Sequence, residues 1–316
     1  MTLTLNKAKT AQAVKTIVRL LLGLFFIATA VLKLLALDNF EIYIYSFNLF
    51  GYSLCAVVAR LVIAAELLLG ALIASRIFYK PAWWLTMAMM VGFTILLVYA
   101  ALFRNDANCH CMGDLVQVRP SVSIVKNVIT ILLLLFVRNE KDFEFKRKRL
   151  VGIAILASAL IVPFVLFPTD AVYKLFSSKQ NSINEETFET FMQDSTISTL
   201  QIDRGRHLVG YLAAGCKYCK TGGAKLNSIV EKHHIDPSRV TFFIWGNETA
   251  IQEYKAETGA DKFRYQTVTP GIAIQIADGK FPTFLLLQDG NIIDILDIRG
   301  LDEQRISQFL ANEPLK

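Results

Sequence analysis

Charge is scarce in this chain. Only 19% of its 316 residues are Asp, Glu, Lys or Arg, 53% are hydrophobic, and the mean hydropathy is +0.42. Those values exclude a disordered chain and argue against a protein that is soluble throughout. Cysteine is scarce too, and five residues are too few for a disulfide-framed scaffold. Lysine and arginine are missing altogether from residues 38–52. What positive charge exists is uneven. Residues 1–170 carry 17 Lys/Arg against 9 Asp/Glu, and residues 171–316 carry 16 against 18. A basic surplus beside apolar runs points to membrane topology, and no nucleic-acid partner is expected.

The apolar half holds five runs near the length of about 20 residues that a spanning helix needs: 17–37, 53–76, 82–103, 122–137 and 150–168. Lys7, Lys9, Lys15 and Arg19 precede or open the first run. Arg76 and Lys80 follow the second, and Arg138, Lys141, Lys146, Arg147, Lys148 and Arg149 follow the fourth. The alternate loops hold only Arg104 and Arg119. Positive residues stay in the cytoplasm. The expectation is an inner-membrane, multi-pass protein with a cytoplasmic N-terminus and, after five spans, a periplasmic C-terminal part. Ala28-Thr29-Ala30 resembles a signal-peptide cut, but the apolar run continues past it. The segments divide as a four-helix membrane domain (1–137), a cytoplasmic basic loop and fifth transmembrane helix (138–168), a linker and short helix (169–194), and an α/β domain (195–316).

In that last part, 177–184 reads as a polar linker and 185–194 as a short helix. Strands are expected at 207–213, 239–245, 282–288 and 291–297, the last two joined by Asp289-Gly290. Helices are expected at 217–234, 248–258 and 302–312. Strands alternating with helices and ending in a hairpin make an α/β sandwich. The informative arrangement is strand, then Cys216-Lys217-Tyr218-Cys219, then helix. A CxxC at a helix start puts the first sulfur against unpaired N–H groups and the positive end of the helix dipole, which favours the attacking thiolate. Lys217 and Lys220 push the same way, and Cys219, one turn in, resolves the mixed disulfide. The competing half-zinc site would need His233 and His234, too far along the same helix to close on the pair.

YLAAGCKYCK and the later Phe281-Pro282-Thr283 resemble the thioredoxin fold over about 195–316. The resemblance implies that Pro282 is cis, faces the CxxC and holds substrate backbone beside Cys216. The usual tryptophan, and the Gly-Pro between the cysteines, are missing.

In the loop 104–121, Cys109-His110-Cys111 forms a second close pair. In an oxidising compartment neighbouring thiols close or exchange. Copper on Cys109, His110, Cys111 and Asp114 is the alternative on ligand softness, but no metal is expected. RLLLGLFFIATAVLKLL at 19–35, AELLLGALI at 65–73 and CHCMG at 109–113 resemble the DoxX/MauE group of small four-helix membrane proteins over about 15–137. Met112 stands where MauE-like members carry an aromatic residue. The resemblance implies a role in forming or delivering protein disulfides outside the cytoplasm, and DoxX relatives are associated with quinone reduction.

Ionisable residues inside spans default to function or internal pairing. Counting 1.5 Å per residue puts Lys33 roughly 6 Å and Arg60 roughly 12 Å below the outer surface, with Glu66 near mid-bilayer. Lys126 lies just inside the fourth span. One reading is a structural polar network around Arg60 and Glu66, although residues six apart on a helix do not face each other. Lys33 has the option of snorkelling outward. The functional reading makes Lys33, Arg60 and Lys126 a positive outer vestibule for a thiolate or reduced quinone. Cys55 reads as inert packing.

Two tethered sulfur pairs meet at an effective concentration of about millimolar. A disulfide between residues two apart closes a small, strained and therefore oxidising ring. The expected enzyme is a thiol–disulfide oxidoreductase. Periplasmic client proteins reduce Cys216–Cys219, Cys109–Cys111 reoxidises it, and a quinone accepts the electrons. It parallels fused vitamin K epoxide reductase-like proteins, which carry more membrane cysteines. The alternatives are a reductant-delivery protein, disfavoured because no cysteine lies on the cytoplasmic side, and a non-catalytic holdase or metal-delivery factor.

Overall fold

The computed structural model describes residues 2–104, 108–113, 118–170, 172–173, 182–194, 197 and 199–311; for residues 2–9 it describes the backbone only. Residues 177–181 of the expected linker therefore lie outside the described residues, as does Asp114. The chain divides into two compact units, residues 1–44 with 54–169, and residues 45–53 with 170–316.

The first unit is all helical: α1 (Thr2–Leu35), α2 (Leu37–Tyr45), α3 (Tyr52–Ser75), α4 (Tyr79–Phe103), α5 (Pro120–Phe136) and α6 (Lys148–Leu166). By length and apolarity α1, α3, α4 and α6 qualify as membrane spans. The fourth apolar run forms a helix of only 17 residues, α5, the lower limit for crossing a bilayer. Leu20, Leu24, Leu85, Ile95, Ile129, Leu132, Ile153 and Val165 are all exposed on these helices. Such an apolar exterior suits lipid as solvent, and the protein is an integral membrane protein.

Two glycines let α1 and α3 touch backbone to backbone. A Cβ on Gly23 would stand 2.7 Å from the Gly70 carbonyl oxygen, and one on Gly70 would stand 2.8 Å from that of Gly23. Small residues at helix crossings serve this purpose in membranes. Arg19, buried inside the first span, donates to the carbonyls of Ile73 and Ala74. It thus satisfies the last turn of α3 and complements the negative end of that helix. Trp83 Nε1 and Tyr79 Oη donate to Leu134 and Val137, each at 2.8 Å, tying α4 to the end of α5.

Helix α2 corrects the sequence reading, which placed 38–52 in an open loop. Leu37, Phe40 and Ile42 are buried, and Leu37 and Phe40 form one cluster with Ala30, Leu34, Ala59 and Ile63. Leu37, Phe40 and Ile44 recur at helical spacing, but nine residues are too short a window for that period to stand out.

In the second unit α7 spans Glu185–Met192. Next come β1 (Arg206–Ala213), α8 (Lys217–Lys232), β2 (Val240–Trp245), α9 (Glu248–Thr258), β3 (Arg264–Thr267), α10 (Pro270–Ile276), β4 (Thr283–Gln288), β5 (Asn291–Leu296) and α11 (Glu303–Leu310). The sheet order is β3-β2-β1-β4-β5. Strands β1, β2 and β3 are parallel, while β4 runs antiparallel to both β1 and β5. Period two sorts the side chains. Val209, Tyr211, Phe243, Leu285 and Leu287 form one core with Phe188 of α7 and Ile276 of α10. On the other face, a Cβ at Gly210 would meet Phe242 and Phe284, and one at Gly222 of α8 would meet Phe284. Helices on both faces of a mixed sheet give the thioredoxin-like sandwich the sequence led us to expect.

Besides the short 3-10 turn Pro237–Arg239, β3 and α10 are not expected from the sequence. RYQT of β3 is half-buried at a sheet edge and too polar to advertise a strand. Helix α10 follows Thr269 and opens on Pro270, a proline at the first turn. Helix α8 also ends earlier than its pattern suggested, at Lys232, and His234 takes a left-handed φ of 52°.

Replacing Gly70 with valine is expected to force α1 and α3 apart and lower stability by about 1–3 kcal/mol. An unchanged thermal midpoint in detergent would show that the two backbones do not approach as described.

Candidate functional site

Strand β1 ends at Ala213, and the chain turns through Ala214 and Gly215 to Cys216, the N-cap of α8. The turn is closed by Cys216 N–H donating to Ala213 O at 3.0 Å. The Cys216 sulfur accepts from the Cys219 backbone N–H at 3.4 Å, the helix-end donation expected for this pair. Cys216 is half-buried, whereas Cys219 is fully buried. Burial pushes the Cys219 thiol well up, and its contact with Cys216 adds to the rise. The pair is therefore asymmetric: an accessible sulfur facing helix N–H groups, and an interior one that keeps its proton.

Pro282 follows a cis Phe281–Pro282 peptide and opens β4. Its ring lies on the first turns of α8, where a Cβ on Gly222 would sit 3.5 Å from Pro282 Cγ. Lys217 and Tyr218 are exposed between the cysteines. Lys220 was expected to support Cys216, but its ammonium pairs with Glu257 of α9 at 2.9 Å. Tyr254, which the sequence reading passed over, donates its hydroxyl to the Cys219 carbonyl at 3.2 Å. A buried tyrosine on an ordinary-looking helix carries no sequence signal for that role. His233 bonds Glu303 at 2.9 Å instead of turning to the cysteines.

The second pair sits between α4 and α5. Cys109 N–H donates to Val118 O at 2.9 Å, and Asn108 Oδ1 accepts from the N–H groups of His110 and Val118. These bonds pinch the loop shut. His110 takes a left-handed φ of 50° at the apex, an uncommon conformation outside glycine, and its ring tilts against Tyr43. The loop then seats on α1: a Cβ on Gly113 would lie 2.4 Å from the Leu32 carbonyl oxygen, and its φ is +67°. Only glycine fits there, which accounts for the second half of the CHCMG pattern.

Cys109 is buried, and its sulfur meets the Ser123 hydroxyl at 3.0 Å and the Cys111 N–H at 3.4 Å. Ser123 lies in the first turn of α5, so the positive helix end points here too. The Cys109 thiol is pulled down to about 6, foremost by hydrogen bonding from the Cys111 thiol, then by Ser123, the Cys111 N–H and the Lys126 charge, all against burial. Cys111 shifts the other way, because it holds its proton beside Cys109 and is itself half-buried. Ser123 had no signal in the sequence, where it is one of two serines flanking Val122.

Of the intramembrane polar residues, Lys33 and Glu66 join. The Lys33 ammonium lies 2.7 Å from both carboxylate oxygens, and both residues are buried. Lys33 therefore does not snorkel outward, and its head group is level with Glu66. Arg60 pairs with Glu41 of α2 and donates to the carbonyls of Ala56, Phe167 and Pro168. Arg60 and Glu66, six apart on α3, thus each find a partner on another helix, Glu41 and Lys33, as their spacing requires. Lys33 and Lys126 both act electrostatically on Cys111, whereas Arg60 is spent on its own partners. Lys126 stands over the Phe25 ring, and no carboxylate pairs with it among the described residues. Cys55 is buried in α3. Among the described residues no three His, Cys, Asp or Glu side chains gather as a metal site.

A known family and a known protein resemble parts of this chain. Residues 11–138 match the family described as Methylamine utilisation protein MauE. Protein TlpB of Flavobacterium psychrophilum is 25% identical over a 313-residue alignment that covers 81% of this chain and 83% of TlpB. No solved structure matches. The chain thus joins a MauE-like membrane domain to a C-terminal thioredoxin-like α/β domain.

Proposed function

We propose that this protein is a membrane-bound thiol–disulfide oxidoreductase that oxidises thiols of client proteins on the outer face of the cytoplasmic membrane. One observation carries the reading. Each of two dithiols sets one sulfur against hydrogen-bond donors, Cys216 at the N-cap of α8 facing the Cys219 N–H and Cys109 in its loop facing the Ser123 hydroxyl and the Cys111 N–H, beside a partner that holds its proton. A structural disulfide or an inert thiol needs no such division.

In the proposed cycle a client thiolate attacks Cys216 of the Cys216–Cys219 disulfide, and Cys219 leaves and takes up a proton. The client's second thiol displaces Cys216, so the client loses two electrons and two protons to the pair. The reduced pair then attacks Cys109–Cys111 and passes both on. Cys109 is the better leaving group, since the lower thiol pKa leaves faster, and Cys111 takes the proton. Cys109 and Cys111 return to the disulfide by giving two electrons and the Cys111 proton to an acceptor, which takes its second proton from water; a membrane quinone is the chemical class that fits a membrane donor. Lys126 and Lys33 lend positive charge beside the Cys109 loop. Pro282 presents client backbone to Cys216. The charge count across the loops supports five spans with the N-terminus in the cytoplasm, which places both pairs outside.

The decisive experiment is trapping in intact cells. Cys219→Ser should accumulate mixed disulfides between Cys216 and client proteins, and Cys109→Ser should leave Cys216/Cys219 reduced. Reduced pairs with unaltered clients in the wild type would favour holding over turnover, and an impermeant alkylating reagent that labels only one pair would break the relay.

The thiolate assignment has its own test. In a Cys55→Ser/Cys216→Ser/Cys219→Ser background, ultraviolet thiolate absorbance should step near pH 6, the value to which Cys109 is lowered. Above that pH Cys109 is a thiolate; as pH falls through it the nucleophile is lost. Ser123→Ala and Lys126→Met should each move the step upward. A single step in the range of ordinary thiols, about 8.5, would remove Cys109 from its role.

A further inference from the structure

A cavity of about 380 Å³ opens between α3, the start of α4 and the start of α6. Leu68 and Leu72 of α3, Ile153 and Leu156 of α6, and Phe78 line it. Gly152 lets Phe78 lie close, since a Cβ there would stand 2.7 Å from the ring. The one charged residue lining it is Arg149. Arg149 is exposed and has no carboxylate partner among the described residues, while neighbouring Lys148 is answered by Asp142 and Glu144. Helix α6 starts here with no side-chain cap from Arg147; the Lys148 N–H bonds the Phe145 carbonyl, which leaves the N–H groups of Arg149 and Leu150 for an anion. Lys146 and Arg147 are exposed beside it.

An apolar slot with a cationic rim and an uncapped helix start suits a molecule with a hydrocarbon chain and an anionic end. We propose that the groove binds an acidic phospholipid, with its phosphate on Arg149 and the first turn of α6, and one acyl chain along Leu72, Ile153 and Leu156. Basic pockets between membrane helices recognise such headgroups. A quinone is the poorer occupant for two reasons. It brings no negative charge to the rim. The groove also lies by the first residues of α4, whereas the Cys109 loop follows the last, and 25 helical residues span roughly 37 Å.

The test uses the full-length protein, delipidated in detergent and titrated with phosphatidylglycerol or phosphatidylcholine, followed by native mass spectrometry and thermal unfolding. Phosphatidylglycerol should bind as a discrete adduct and raise the midpoint, with phosphatidylcholine weaker. Arg149→Gln should weaken phosphatidylglycerol about tenfold, the loss of one charge-assisted contact, and phosphatidylcholine by less, because its choline cation already offsets the phosphate at this basic rim. Ile153→Trp, which fills the slot, should weaken both. Equal binding of the two lipids, indifference to Arg149→Gln, or competitive displacement by a soluble quinone analogue would each overturn the proposal.

Discussion

Charge buried in an apolar bundle has to find its counter-charge there, and the membrane unit is organised by that demand. Lys33 of α1 reaches Glu66 of α3, Arg60 of α3 reaches Glu41 of α2, and Arg19 of α1 caps the carbonyl end of α3. Removing one partner of such a pair leaves an uncompensated charge, typically about 3–5 kcal/mol of destabilisation. The pairs therefore set which helices are neighbours and at what height. With α1 and α3 locked by these bonds and by the Gly23–Gly70 contact, Leu32 becomes a fixed seat for Gly113. The Cys109–Cys111 loop is held there with Lys33 and Lys126 near enough to act on Cys111.

The two dithiols reach a similar electrostatic division on unrelated scaffolds. In the α/β unit the difference comes from depth, Cys216 half-buried at a helix start and Cys219 inside. In the membrane unit the deeper sulfur, Cys109, is the more acidic and the half-buried Cys111 keeps its proton, so depth cannot account for the division. There the difference comes from hydrogen bonds converging on Cys109. A shared proton supply in a low-dielectric loop forces one sulfur to gain acidity as the other loses it.

Much of this was legible in the residues. The CxxC between a strand and a helix, the proline ahead of β4 and the runs of apolar helix are local patterns, and the structure places them as the patterns imply. Helix α2, strand β3 and helix α10 were not legible, being short and, for β3, polar, with their burial decided by neighbours. Lys220 read as a support for Cys216 because nearness in sequence was the only measure to hand; in space Glu257 is nearer its charge. Ser123 and Tyr254 carry no pattern because each acts through one hydrogen bond to a residue distant in sequence.

The sequence by itself determined composition-driven properties: that the N-terminal half prefers lipid, that the C-terminal half alternates strand and helix, and that four of five cysteines stand in close pairs. Hydrophobic periodicity and sulfur spacing are short-range, so they survive in one dimension. Only the tertiary structure decided which buried cation meets which anion, and which sulfur of the Cys109–Cys111 pair holds its proton. Coulomb and hydrogen-bond energies depend on separations of a few ångströms between residues tens of positions apart, and those separations exist only once the chain has folded.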